Sequence, residues 1–362
     1  MHDDPDYVSN RRIYPSMALS VTILICTRNR AEYLRKTLVS VGKLYIPDGF
    51  DPELVLVDNG STDNTLEVIR SLELPNMPVR VLQEMAPGAG SARNMGLRNA
   101  QGKVVLITDD DTQLPVNWVE AMCRPILDGE ADAVAGKIVI APHLRRDWMS
   151  AHHEAILSAT VSMDPEAPQD IFGASMAFHR DVLAAVPGFD PELGPGTAVG
   201  HMDDTLFSWQ LKRAGYRIAY VSKAPVVHHF NQDRLLRSSF ISAARRHGRA
   251  RAYMAYHWQH VPYAKSRRFG SRWLNLLLRY TLLLVRRTIY PKEWIRKEGI
   301  SSWEFGLIRQ ISGIKQFIGD SRRPRNYDRH GLRKINGIPI QKFSCTSSGE
   351  IRKQVYKDPR SS

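Results

Sequence analysis

Several short polar clusters in this sequence combine residue types that do chemistry with positions directly after apolar runs. Thr108-Asp109-Asp110-Asp111-Thr112 places three carboxylates in a row after the run Val104–Ile107. Adjacent carboxylates repel one another and lose solvation, so the arrangement calls for a counter-cation. A divalent metal ion bridging diphosphate oxygens supplies one, and a solvated acidic turn is the plain alternative. The stretch Gly194-Pro-Gly-Thr-Ala-Val-Gly-His-Met-Asp203-Asp204 ends in a second acidic pair, just before an expected helix at Thr205–Ala214. Acids there complement a helix dipole, and a loop carboxylate facing the same cleft can also take the proton of an attacking hydroxyl. Val226-Val-His228-His229 adds imidazole, either a ligand for a manganese-like ion or a structural side chain.

Three further clusters point to nucleotide chemistry or to turns. Thr27-Arg28-Asn29-Arg30 follows the first apolar run, and Asp58-Asn-Gly-Ser-Thr-Asp63 follows the second. Asp58 sits where a carboxylate can accept from a base or ribose, although Asn-Gly and Ser-Thr-Asp also make a turn and a helix cap unaided. Pro87-Gly-Ala-Gly-Ser-Ala-Arg93-Asn94 is a glycine-rich loop whose amides and Arg93 could hold phosphate. It fits neither a dinucleotide fingerprint nor a Walker loop, since Arg93 stands where the former needs Gly or Ala and Gly-Lys-Ser/Thr is missing. His152-His153-Glu154 does not match HExxH and is expected on a surface helix.

These clusters need a frame that presents strand ends together. Val21–Cys26, Leu54–Val57, Val79–Leu82 and Val104–Ile107 are β-rich and continuous rather than alternating, with Arg80 the one charge among them, the pattern of strands buried on both faces of a parallel sheet. Tyr33–Val41, Thr65–Leu72 and Ser91–Ala100 between them have helical spacing. Strand–helix alternation of this kind predicts an open, mostly parallel α/β sheet with its ligand site beyond the carboxyl ends of the strands. A chain of 362 residues, 43% hydrophobic and 24% charged, excludes disordered and collagen-like classes. Cys26, Cys123 and Cys345 form no disulfide framework or metal knuckle, and the opening MHDDPDYVSNRR lacks the apolar core of a secretory signal. A cytoplasmic location is expected.

The net charge of +13 divides unevenly. Residues 1–230 carry 21 Lys and Arg against 29 Asp and Glu, a balance of −8; residues 231–362 carry 29 against 8, a balance of +21. An acidic body with a basic attachment surface follows, one suited to headgroups, nucleic acid or a phosphate-bearing substrate. Leu235–Tyr256, Arg272–Tyr290 and Phe305–Ile318 read as basic helices. Lys265, Arg272, Arg279 and Arg286 recur every seven residues and share one helix face. The apolar runs there are too short to span a bilayer, so the alternatives are an interfacial helix on a membrane and a helix packed on the body. The expected division is a tail at 1–18, a catalytic domain at 19–230, a basic helical extension at 231–320 and a basic tail at 321–362.

Taken together and in order, these motifs resemble the family-2 glycosyltransferases. The resemblance runs through TILICTRNRAEYLRKTL, LVLVDNGSTDNT, GSARNMGLRNAQGKVVLITDDD, FGASMAFHRDVLAAVPGFDPELGPG and DDTLFSWQLKRAGYRIAYVSKAPVVHH. It implies a GT-A fold, with Thr27, Arg28, Asn29, Asp58, Arg93, Asp109 and Asp110 at the nucleotide-sugar donor. It further implies Asp109, Asp111 and His228 as ligands of Mn2+ or Mg2+, and Asp203-Asp204 as the acidic pair whose second member is the base; Asp203 departs from the family's usual Glu. Gly173-Ala-Ser and Gly188-Phe189-Asp190 would shape the donor-sugar and acceptor pocket. Processive members carry QxxRW, whereas here Phe269 precedes Arg272-Trp273. The implied activity is non-processive, inverting sugar transfer to a glycan or lipid-linked acceptor in polysaccharide synthesis, on or near an anionic membrane surface contacted by residues 231–320. A nucleotidyltransferase, or a basic protein that binds nucleic acid or membrane without catalysis, remains as an alternative.

Overall fold

In a computed structural model, the described residues are 18–160, 163–164, 168, 170–261, 278–289 apart from Arg279 and Arg287, 297–327, 334–335 and 338–339. The expected strands and helices are present, each slightly longer or shorter than its apolar run: β1 (Leu19–Thr27), α1 (Ala31–Val41), β2 (Phe50–Asp58), α2 (Thr65–Arg70), β3 (Val79–Gln83), α3 (Ala89–Asn99) and β4 (Val104–Asp109). Then follow β5 (Thr112–Gln113), α4 (Trp118–Leu127), β6 (Ala133–Ile140), α5 (Ala151–Ile156), β7 (Met176–His179), α6 (Asp203–Arg213) and β8 (Ile218–His228). All eight strands join one sheet in the order β3-β2-β1-β4-β7-β6-β8-β5. β1, β2, β3 and β4 pair in parallel, β7 is antiparallel to β4 and β6, and β8 is parallel to β6. The sheet is therefore mixed but mostly parallel, with helices on both faces.

Alternate side chains of the central strands feed two apolar layers. Ile23, Ile25, Leu54 and Leu56 pack with Leu34, Leu38, Trp118 and Met122 from α1 and α4. Leu24, Val55, Val57 and Val105 pack on the opposite face with Ala92, Leu97 and Phe207 from α3 and α6. Burial on both faces explains why β1, β2 and β4 read as unbroken apolar runs. β3 departs from that expectation. It is the edge strand and only half-buried, with Val81 exposed, because no strand lies beyond it to cover its outer side.

The extension beyond β8 packs onto this sheet domain. α7 (Arg237–Tyr253) lies against α8 (Ser302–Asp320), joined by an Arg237–Glu304 ion pair at 2.6 Å. Phe240 and Phe305 share a core with Ile140, Leu144, Leu157 and Phe230 of the sheet domain. After α7 the chain widens into a π-type turn at Met254–Trp258, which sends the Trp258 indole N–H to Asp190 at 2.7 Å. Trp258 also stacks on Tyr327, with ring centres 4.0 Å apart.

The helix carrying His152-His153-Glu154 corrects the sequence reading. α5 is packed, not a surface helix: His153 Nε2–H donates to the Ile300 carbonyl at 2.7 Å, His152 meets Phe305 edge-on, and Glu154 is buried against Arg145. The expected helix Arg272–Tyr290 lies largely outside the described residues, as do Lys265, Arg272 and Arg279 of its seven-residue repeat. Its described residues, within 278–289, are helical. Most of the tail at 321–362 and all but Ala18 of the tail at 1–18 also lie outside them.

Candidate active site

Register brings the first clusters to one edge of the sheet. In the β1–β2 ladder Thr27 stands opposite Asp58, and in the β1–β4 ladder Cys26 stands opposite Asp109. Parallel strands end together, so residues from three distant segments meet there. Arg28 and Asn29 are exposed at this edge, and Asn29 adopts a left-handed conformation with φ of 54°. Its amide N–H donates to Ser61 Oγ at 2.9 Å, and its side-chain oxygen accepts from the Thr62 amide at 2.6 Å. Asp58 is fully buried and accepts from the Ser61 amide at 3.3 Å. These two loops thus form one wall whose outer residues face solvent.

The acidic run divides by role. Asp110 turns to Thr27, whose hydroxyl donates to it at 2.7 Å, and to Arg30 at 3.0 Å. Burial and the neighbouring Asp111 push its carboxyl up to about 7. Asp109, Asp111 and His228 instead converge, with one donor atom from each lying within 4.8 Å of the others. A short antiparallel ladder positions the histidine: Thr112 of β5 stands opposite His228 of β8, and the His229 amide donates to the Asp111 carbonyl at 2.7 Å. His228 Nδ1 lies 3.2 Å from the Leu157 carbonyl, and its Nε2 faces Asp111 Oδ1 at 3.2 Å. With Nδ1–H donated to the carbonyl, Nε2 meets the carboxylate across a shared proton or, in its place, a metal cation. Two electron-rich atoms so placed need a cation between them, and a carbonyl-oriented histidine beside carboxylates is a usual metal-ligand arrangement. The residues present therefore fit a divalent ion such as Mn2+ or Mg2+. Burial opposes the charge on Asp111, but His228 and Arg30 outweigh it and hold the carboxyl well below its ordinary value.

One guanidinium links this triad to the second acidic pair. Arg93 is buried and pairs with Asp109 at 3.1 Å and, through its other terminal nitrogen, with Asp203. Burial opposes the charge on Arg93, and Asp203 and Asp109 more than restore it. Gly173 makes room for the link, since a Cβ there would lie 2.3 Å from the Arg93 guanidinium. Asp203 and Asp204 open α6; the Asp204 carboxylate accepts from the Thr205 amide at 2.7 Å and, weakly, from the Gly173 amide at 3.4 Å. Burial, together with the negative charge of Asp203, pushes the Asp204 carboxyl up to about 7. A carboxylate tuned that far is suited to receive a proton near neutrality.

The structure thus brings Thr27, Asp58, Arg93, Asp109, Asp110, Asp111, Asp203, Asp204 and His228 to one region, with Arg28 and Asn29 on its rim. Arg93 faces two carboxylates, and the neighbouring amides of Gly88 and Ala89 donate to Asn59 and to the Pro195 carbonyl. Sequence reasoning singled out Arg28 and missed Arg30, which bridges Asp110 and Asp111. Its place three residues beyond Thr27, at the entrance to a helix, was the available signal.

Comparison with known proteins follows the same segments. Residues 22–186 match the family model described as Glycosyl transferase family 2. This segment is similar to that family throughout its length. Over 121 residues the chain is 39% identical to glycosyltransferase GlyG of Streptococcus pneumoniae, covering 33% of this chain and 39% of that protein. Over 94 residues it is 32% identical to poly(ribitol-phosphate) beta-N-acetylglucosaminyltransferase TarS of Staphylococcus aureus, covering 26% and 16%. The match thus spans well under half the length of either relative. Among solved structures, mannosyltransferase PcManGT from Pyrobaculum calidifontis, in complex with GDP-Man and Mn2+, superposes with a TM-score of 0.48 at 22% identity, covering 66% of this chain and 63% of that one. Residues 1–349 of S. aureus TarS give 0.46 at 15% identity, covering 91% and 98%.

The Arg93 link carries a stability consequence. Replacing Arg93 with Met leaves Asp109 and Asp203 without their shared cation in a poorly solvated place. Denaturant unfolding of the metal-free protein at neutral pH is expected to show a loss of about 3–5 kcal/mol. A loss below about 1 kcal/mol would contradict the linking role.

Proposed function

We propose that this protein is a metal-dependent, inverting glycosyltransferase that moves a sugar from a nucleoside-diphosphate sugar to an acceptor hydroxyl. The observation that carries the reading is a proton-accepting carboxylate, Asp204, joined through Asp203 and Arg93 to the metal-type triad Asp109, Asp111 and His228. Thr27 and Asp58, with Arg28 and Asn29 on the rim, would receive the nucleotide. Asp109, Asp111 and His228 would hold Mn2+ or Mg2+, which when bound offsets the charge that grows on the departing diphosphate.

The remaining chemistry belongs to the chain's own side chains. Asp204 accepts the acceptor's hydroxyl proton while that oxygen bonds to the anomeric carbon. The bond from that carbon to the diphosphate oxygen breaks in the same displacement, and the nucleoside diphosphate leaves with the electron pair. A single in-line displacement inverts the anomeric centre. Asp203 acts on its neighbour instead. Paired with Arg93, it keeps negative charge beside Asp204 and so raises the basicity of that carboxylate.

The extension supports attachment to an anionic membrane surface. No helix among the described residues is long and apolar enough to cross a membrane. Helical residues Leu278, Leu282, Leu284, Val285 and Ile289 nevertheless expose their side chains, while Leu283 packs on Leu307 and Ile314. An exposed apolar face in a segment of strongly positive balance suits a bilayer interface.

Three measurements test these assignments. With donor and Mn2+ saturating, D204N is expected to lower turnover by at least about a hundredfold while donor binding persists. In the wild-type protein the base works only when ionised, and its neighbours Asp203 and Asp170 raise its pKa while Arg93 lowers it. Turnover should therefore fall as pH drops below about 7; a profile flat from mildly acidic to mildly alkaline pH would remove Asp204 from this role. For the surface, the wild-type chain should co-sediment with phosphatidylglycerol vesicles and the variant carrying L282E and I289E should not. Equal behaviour of the two would reject the membrane contact.

A further inference from the structure

Two arginines of the extension reach the site without a carboxylate partner. Arg234, on the turn after β8, lies over the Phe230 ring at 5.0 Å, and that ring meets His228 edge-on at 5.2 Å. Asp111 and Asp109 favour its charge, and Arg30 and Arg246 oppose it. Arg246 projects from α7 and lays its stem along Gly200, where a Cβ would lie 2.7 Å from the arginine's Cδ. Its guanidinium donates to Ser242 Oγ at 2.7 Å. Among the described residues, neither arginine forms an ion pair with a carboxylate. Burial pulls both guanidiniums below their ordinary pKa, and nearby arginines add to the effect. His201, in the loop before Asp203, lies within the field of both.

We propose that Arg234 and Arg246 form a subsite for a phosphate group carried by the acceptor, so that the acceptor is an anionic, phosphate-bearing molecule. This rests on the glycosyltransferase reading given above. Partly buried guanidiniums with no carboxylate in contact are costly, and a phosphate offers the oxygens that satisfy them. The position of Arg246 assigns that phosphate to the acceptor. Gly200 stands only three and four residues before Asp203 and Asp204, on the side of the base, and the base must touch the acceptor hydroxyl. The donor's diphosphate already has the Asp109–Asp111–His228 cation as its counter-charge. The balance of +21 over residues 231–362 would also draw a polyanion toward this side of the molecule.

The test uses the full chain saturated with Mn2+ and a nucleoside diphosphate, with sn-glycerol 3-phosphate as the probe and glycerol as its uncharged control. Ligand-detected NMR should show glycerol phosphate binding alongside the nucleotide, and no binding of glycerol. R246Q and R234Q should each weaken glycerol phosphate binding at least about tenfold and leave nucleoside diphosphate affinity within about twofold. R245Q, at an exposed position on the same helix, should change neither. Thermal melts of each variant separate loss of the subsite from loss of the fold, and either arginine variant alone suffices. Equal binding by wild type and a folded arginine variant, no binding by wild type, or competition between glycerol phosphate and the nucleotide would overturn the proposal. Failure to bind any nucleoside diphosphate would instead overturn the glycosyltransferase reading.

Discussion

Charge concentration at one edge of the sheet is the constraint on which the rest depends. Asp109, Asp110, Asp111, Asp203 and Asp204 gather there, and among the described residues only two arginines, Arg30 and Arg93, pair with them directly. Isolated carboxylates in such a place would take up protons. The two guanidiniums keep Asp111 and Asp203 in position, and the remaining imbalance has two consequences. One is the proposed affinity for a cation at Asp109, Asp111 and His228. The other is a raised pKa at Asp204. Both properties follow from the same shortage of positive charge, and both are what a displacement between an anionic leaving group and a protonated nucleophile requires.

The sheet supplies the precision. Parallel register aligns the ends of β1, β2 and β4, so Thr27, Asp58 and Asp109 arrive together from segments far apart in sequence. The two-residue strand β5 then pairs with β8 and draws His228 beside Asp111. Without that short antiparallel ladder the histidine would belong to the end of a strand leading elsewhere. On the other side of the site, α6 begins at the acidic pair, and the π-type turn after α7 secures Asp190 through Trp258. The basic extension is thus packed against the loops that carry the chemistry, and Arg234 and Arg246 reach the site from it.

Much of this arrangement was legible in the sequence. Unbroken apolar runs identify β1, β2 and β4 because both faces of those strands are covered, and the polar clusters follow them directly. β3 differs from them in carrying Arg80 in mid-strand, a charge that accords with the edge position it takes up. Asp109, Asp111 and His228 were legible as a donor set through the family resemblance. The link from Asp109 through Arg93 to Asp203 was not, because it spans more than a hundred residues and depends on the close approach permitted at Gly173. Arg30 escaped for the same reason, its partners lying about eighty residues away. The packing of α5 was hidden because its histidines contact Ile300 and Phe305, which only the folded extension brings near.

The central claim is that the acidic edge holds a divalent cation through two carboxylates and one imidazole. Pulsed electron paramagnetic resonance of the Mn2+-loaded full chain tests it directly, because an imidazole ligand leaves a nitrogen hyperfine coupling that carboxylates and water do not. The account predicts that coupling in the wild-type protein and its loss in H228Q, with protein-bound Mn2+ still detected in both. Bound Mn2+ without nitrogen coupling, or a coupling that survives in H228Q, would contradict it.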